Sequence, residues 1–405
     1  MAPCKPTTFK TGLPISPQTN DTQGNDIMPC FLEFHLIQNF APSNLNRDDT
    51  GSPKDALFGG HRRARISSQC LKRSVRLLAA TQNLLSPEHR GVRTKQLKNL
   101  LVERLSQRDP EEAGAKVEAA LASAGLKLKD DGKTEYLLFL GEGEVAALAS
   151  LIDREWEEIT VSAEKKSKKD AKAAASGDVG KKLKALLDGG KAVDVAMFGR
   201  MLADMPAVNQ DAACQVAHAI STHRVEREFD YFTAVDDKEE DVVTGMIGQV
   251  EFNSATFYRY AVIDLDKLTA NLQNDRDLVL AAVRAFTMAT ARAVPSGKQN
   301  TFAAHNLPQF VGVCLRHAGP LNLANAFEKP VSPQREKSLT ELSVQRLVGH
   351  EDKLAAIYGS PEDQWLALDL SGQWPEGKGL VTGTLVEFAQ QVQALAAEAL
   401  PVSAD

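Results

Sequence analysis

Apolar positions alternate along Phe31-Leu-Glu-Phe-His-Leu-Ile-Gln-Asn-Phe40, with Leu32, Phe34 and Leu36 on one face and Glu33 and His35 on the other. A period of two is that of a half-buried strand, and this run is read as the first strand. A polar loop from Pro42 to Gly60 follows, closed by Gly59 and Gly60, whose backbone freedom suits a turn. The period then lengthens. Ser67 or Ser68 is placed to cap a helix carrying Leu71, Val75, Leu78 and Leu85 at spacings near one and two turns. That row predicts an inward face, while Lys72 and Arg76, four apart, share another face with Arg73 and offer cations outward.

From residue 87 to about 192 the chain reads as an inserted helical subdomain, with a flexible Lys/Ala/Ser/Gly tract at 161–180. Alternation returns at Val193, Val195 and Met197 and again from Thr256 to Asp264, which predicts strands. A helix is expected over roughly Arg276–Val294, then the loop Pro295–Asn300 and a strand over Gln309–Leu315. Further helices are expected near Leu339–Tyr358 and Thr382–Leu400. Residues 1–28, rich in Pro, Thr, Asn and Gly, read as a disordered extension. The order strand, helix, strand, helix, strand with large insertions predicts an α+β fold built on a split βαβ, ferredoxin-like or RRM-like sheet, assembled from residues 29–86 and 193–405.

Composition narrows the function classes. The chain has 405 residues, 43% hydrophobic and 25% charged, enough for a buried core. No stretch approaches the ~18 unbroken apolar residues of a membrane helix, and Met1 to Asn25 lacks the apolar middle of a secretory signal, so a cytoplasmic protein with no membrane contact is expected. Five scattered cysteines with no CxxC spacing and eight histidines with no HExxH spacing predict no disulfide framework, metal site or cofactor. The net charge of −6 argues against wholesale binding of nucleic acid. The positive charge is local: no acidic residue occurs between Ala56 and Pro87, where Arg62, Arg63, Arg65, Lys72, Arg73 and Arg76 crowd together.

A basic run that leads into a serine-capped helix suits an anion. Free N–H groups and the positive end of the helix dipole point outward, Ser67 and Gln69 add polar groups, and guanidinium forks match phosphate. Nothing in this set reads base identity, so it would grip nucleic acid irrespective of sequence. The competing reading is a solvated basic face paired with the acidic helical insert. The aromatic-rich stacking signature of RRM domains is absent.

Several blocks together resemble the CasC family, the backbone subunit of the type I-E CRISPR Cascade complex. They are Asn46-Arg-Asp-Asp49, Lys54 to Arg73, Phe198-Gly-Arg-Met201, His218 to His223, Asp230 to Asp237, Phe257-Tyr-Arg-Tyr260 and Leu323 to Lys329. The resemblance implies a hand-shaped protein with an RRM-like palm, helical fingers and a β-hairpin thumb at about 223–252, whose tip, Asp236 to Asp241, is acidic. It implies no catalysis, and as partners CRISPR RNA, further copies of the chain, other Cascade subunits and, through guide pairing, target DNA. Matching positions nominate Arg47, Lys54, Ser67, Gln69, Lys72, Arg73, Arg76 and Lys298 for the RNA backbone, with Arg62, Arg63, Arg65 and Arg200 as further basic candidates. Met201 is matched to an apolar wedge beside the bases.

Two rival readings stay open at this point. Asp48 and Asp49 could hold a divalent ion for RNA cleavage, with pairing to Arg47 or Lys54 as the blander account. Alternatively, the basic patch meets an acidic face in a purely structural oligomer.

Overall fold

The computed structural model describes residues 29–161, 178–187, 190–202, 206–235 and 243–401. The expected N-terminal extension, most of the 161–180 tract and the acidic hairpin tip Asp236–Asp241 lie outside the described residues.

Strand β1 (Phe31–Ser43) is the centre of the molecule. After it come a hairpin of β2 (Asp55–Phe58) and β3 (His61–Ile66), then helix α1 (Ser68–Thr81). The insert contributes β4 (Gly91–Thr94), α2 (Leu97–Arg104), α3 (Pro110–Ser123), β5 (Leu138–Gly141), α4 (Glu142–Arg154) and α5 (Asp178–Leu187), after which α6 (Val193–Phe198) returns to the central core. Short strands β6 (Cys214–Val216) and β7 (Ala219–Ser221) precede the long pair β8 (Glu228–Val235) and β9 (Val243–Asp264). The chain ends with α7 (Leu265–Asn271), α8 (Arg276–Arg292), α9 (Gln299–Phe302), β10 (Phe310–Arg316), α10 (Leu339–Tyr358), β11 (Gln364–Asp369), β12 (Leu380–Val381) and α11 (Leu385–Ala399).

A ten-stranded sheet runs β12-β11-β10-β1-β9-β7-β3-β2, with β6 and β8 also paired to β9. It is antiparallel except for the β11–β12 pair. β1 lies between β10 and β9, so Phe34 faces Val313 on one side and Ala261 on the other. The Leu32, Phe34 and Leu36 face packs under α1, α8 and α11 through Val75, Val279, Val283, Phe286, Phe388 and Val392. The insert has a core of its own, in which Leu97, Leu101, Val117, Leu121, Leu148, Ile152, Leu183 and Leu187 meet.

Three expectations need correction. β1 is not half-buried: its second face, with Glu33 and His35, is also sealed, beneath Val344 and Leu347 of α10 and the ring of Trp365. Those polar groups survive burial by being partnered. Glu33 accepts from Arg316 Nε at 2.7 Å and from the Tyr260 hydroxyl at 2.9 Å, and Arg316 reaches Asp363 at 2.8 Å and Glu351 at 3.2 Å. Second, Val193–Met197 is helical, not extended: Val193, Ala196 and Met197 fall at i, i+3 and i+4 and all three are buried. Third, the C-terminal region adds strands β11 and β12 to its helices, with Trp365, Leu366 and Ala367 buried.

Candidate nucleic-acid interface

Ser67 is the cap of α1: its hydroxyl accepts from Cys70 N at 3.3 Å, and its own N–H donates to Asn46 Oδ1 at 2.8 Å. Asn46 thereby ties the loop after β1 to the start of the helix. Ser67 itself is buried, so its oxygen serves the helix and does not face a ligand. Gln69 is exposed, two residues on. Beside this corner lies an open groove of about 520 Å³ lined by Leu45, Asn46, Arg47, Asp48, Asp49, Gly51, Cys70, Arg73, Ser74, Ser296 and Gly297. Its far wall is the Pro295–Asn300 loop, pressed so closely on the chain that a Cβ at Gly297 would stand 2.3 Å from the Leu45 carbonyl oxygen. Lys298 follows in the left-handed conformation and starts α9.

The basic candidates divide into two groups. Arg47 and Arg73 are exposed in the groove and, with Lys54, Lys72 and Lys298, make no ion pair to an acidic side chain among the described residues. The Lys72 ammonium lies 5.4 Å from the centre of the Phe198 ring. The other arginines are engaged within the protein. Arg63 is fully buried and donates to the carbonyls of Ser221 at 3.0 Å, Phe327 at 2.8 Å and Glu328 at 3.1 Å. Arg76 turns from solvent to Asp194, 2.7 Å away, and to the Gly91 carbonyl at 2.9 Å, beneath the Phe139 ring. Arg200 is buried against Glu144 at 2.9 Å and the carbonyls of Val208 and Leu187. Arg62 pairs with Asp55, and Arg65 donates to the Asp55 carbonyl at 3.0 Å and lies 3.0 Å from His218 Nδ1. Arg63, Arg76 and Arg200, nominated for RNA, spend most of their fork on internal acceptors and are turned away from the groove.

Arg200 nonetheless serves the site. Gly199, at φ +78°, turns the chain, a Cβ there meeting Ala212 N and Gln210 O at 3.0 Å. Arg200 pairs across to Gln210 and anchors its guanidinium inside the insert. The next residue is thereby presented outward, and Met201 is 83% exposed.

Of the two groove carboxylates, Asp48 is committed to its own loop. Asp48 Oδ1 accepts from Thr50 N at 2.9 Å, the Thr50 hydroxyl at 2.7 Å and Ser52 N at 3.0 Å. The Thr50 hydroxyl first, and then these backbone N–H groups, hold the Asp48 carboxyl below the usual aspartate range. Asp48 is thus a loop brace and not the partner of Arg47 or Lys54. Among the described residues no group of three or more His, Cys, Asp or Glu side chains is gathered as a metal would need.

A family model described as CT1975-like protein matches residues 32–391. The chain belongs to the CT1975-like family. Membership bears out the resemblance to CasC, whose blocks lie within the matched span. Among solved structures, this CT1975-like chain is similar to a chain of a "CRISPR RNA-guided surveillance complex, pre-nicking", at 30% identity and TM-score 0.77, over 91% of this chain and 100% of that one. It is also similar to a chain of a "CRISPR RNA-guided surveillance complex", at 26% identity and TM-score 0.67, over 91% of this chain and 99% of that one. No curated protein matches the chain.

Sequence reasoning missed Asn46, Ser74, Ser296 and Gly297 as parts of the groove. They are small or neutral, so charge patterning does not flag them, and the fold gathers them from segments some 250 residues apart. The sequence signals were Asn46 at the start of the block Asn46-Arg-Asp-Asp49 and the glycine of the Pro295–Asn300 loop, which marks a close backbone approach.

Proposed function

We propose that this CT1975-like protein is a non-catalytic, cytoplasmic subunit that polymerises along CRISPR RNA in a type I-E surveillance complex. It holds the sugar-phosphate backbone and leaves runs of bases free to pair with target DNA. The observation that carries the reading is the groove in which Arg47 and Arg73 stand without an acidic partner among the described residues, beside a helix start and a tight glycine loop. Two similar solved structures point the same way, since both belong to RNA-guided complexes.

An RRM-like palm is supported by the order β10-β1-β9-β6, with α1 and α8 on one face, which is the strand order of a ferredoxin-like split βαβ unit. The insert with its own core is the fingers, and the β8–β9 hairpin is the thumb. Met201 stands where an apolar wedge could fill an unstacked step between bases. Sequence recognition then belongs to base pairing, while the protein supplies shape and charge.

The groove also holds Asp48 and Asp49, so its charge is balanced and its pull on phosphate rests on a few directed contacts. Purifying the protein from its host and sequencing bound RNA tests the reading. Guide-length RNA should accompany the parent protein and be depleted from an Arg47→Ala/Arg73→Ala variant that still folds. Equal RNA in both, or none in either, contradicts it. Magnesium-dependent RNA cutting that disappears in Asp48→Ala would establish the nuclease instead.

A further inference from the structure

We propose that Arg227 is a positioning residue that fixes the direction of the β8–β9 hairpin relative to the groove, so that RNA held by one subunit is coupled to assembly with the next. This rests on the guide-binding reading above.

A two-stranded ribbon twists and bends easily on its own. Among the described residues β8 pairs only with β9, so the root of the hairpin must set where it points. Arg227 is at that root, one residue before β8. Its Nη2 donates to Asp55 Oδ2 at 2.7 Å and its Nη1 to Glu251 Oε2 at 3.1 Å. Asp55 opens β2 and also holds Arg62; Glu251 belongs to β9, opposite Phe229 of β8. One guanidinium therefore joins the β2–β3 hairpin to both strands of the projecting ribbon.

A second tie runs in parallel. Asn44 is fully buried, and its Nδ2 donates to the Gly51 carbonyl at 3.0 Å and the Glu251 carbonyl at 2.9 Å. Gly51 lines the groove in the loop that carries Arg47. Glu251 is thus fastened both to Arg227 and to the groove wall. The cluster of Arg62, Arg227, Asp55 and Glu251 is neutral, and Arg227 is occupied at both ends, so its role is to orient and not to hold phosphate.

The test uses the full chain with Arg227→Gln, Arg227→Lys and Asp55→Asn. Three quantities are measured: affinity for a single-stranded RNA long enough for one subunit, cooperativity on an RNA spanning many, and the distance distribution in free protein between labels at Thr233 and Gln69. Arg227→Gln should keep the short-RNA affinity within about twofold and lower the cooperativity about tenfold, a size usual for coupled sites, while broadening the distances. Arg227→Lys keeps the charge but not the fork, and should fall between parent and Gln. Asp55→Asn should repeat the Gln phenotype if Arg227→Gln folds poorly. Unchanged cooperativity overturns the proposal, as does an equal loss on the short RNA, which would make Arg227 an RNA contact. If the parent binds no RNA, the guide-binding reading fails, and unchanged label distances would then sink the positioning claim separately.

Discussion

Side chains of one type have opposite roles within a short stretch of this chain. Arg73 is open to solvent while Arg63 and Arg76, ten residues before and three after it, are held by carbonyls and by Asp194. Arg200→Ala should cost roughly 3–5 kcal/mol of stability, because it leaves Glu144 buried and unpaired. Denaturant midpoints check this, and a loss below ~1 kcal/mol would mean that the Glu144 site relaxes. Glu33 supplies a pH prediction. Burial pushes its carboxyl up, but hydrogen bonding and attraction from His35 and Arg316 outweigh that and leave it below the usual glutamate range. The unfolded chain then takes up the proton more readily, so this stabilisation is present above the unfolded value near 4.3 and is lost as pH falls through the lower folded value. Denaturant midpoints measured from pH 7 to pH 3 should fall less steeply in Glu33→Gln than in the parent. At this scale the sequence showed which residues were basic but not which were available, because the deciding partners, such as Phe327, Asp194 and Glu144, lie far along the chain.

Elements were read more successfully where the pattern was long. The helix ending at Tyr358 was expected over Leu339–Tyr358 and occupies that span, and the cap of α1 at Ser67 follows from local chemistry. The three-residue alternation at Val193, Val195 and Met197 was too short to separate a period of two from 3.6, and tertiary packing made it a helix. Polar residues on β1 suggested a wet face because charge patterning cannot reveal that Arg316 comes to meet Glu33. The β2–β3 hairpin provides a test at this level. Gly59 and Gly60 both have positive φ, but only at Gly59 would a Cβ collide with the Glu328 carbonyl oxygen, at 1.9 Å, with open space at Gly60. Gly60→Ala should cost about 1–2 kcal/mol for its left-handed backbone. Gly59→Ala should add a further 1–3 kcal/mol of overpacking, since the hairpin must lift from the segment that Arg63 also clasps. Equal melting shifts for the two variants would show that the hairpin tip is not docked.

At the scale of the whole molecule, a sheet buried on both faces carries three attachments: an insert with its own core, a projecting ribbon and a groove at the start of α1. Beside the groove, on the same helix as Arg73, Lys72 covers Phe198, three residues before the exposed Met201. The groove meets the ribbon through Asn44 and Glu251. The groove and the ribbon are therefore joined through shared residues, the coupling that the proposed repetition along an RNA strand needs. Much of this architecture was legible through the family-like blocks, which bracket the groove and Met201; the balance of charge in the groove was not, because pairing of Asp48 or Asp49 with Arg47 or Lys54 was one open reading and the structure instead folds Asp48 back on Thr50 and Ser52. The most direct measurement is the equilibrium affinity for single-stranded RNA over a series of salt concentrations, for the parent, Arg47→Ala/Arg73→Ala and Arg76→Lys. Each lost phosphate contact lowers the slope of log affinity against log salt by about 0.7, so the double variant should be shallower by about 1.4 and Arg76→Lys unchanged. A double variant with the parent's affinity and slope would contradict the account.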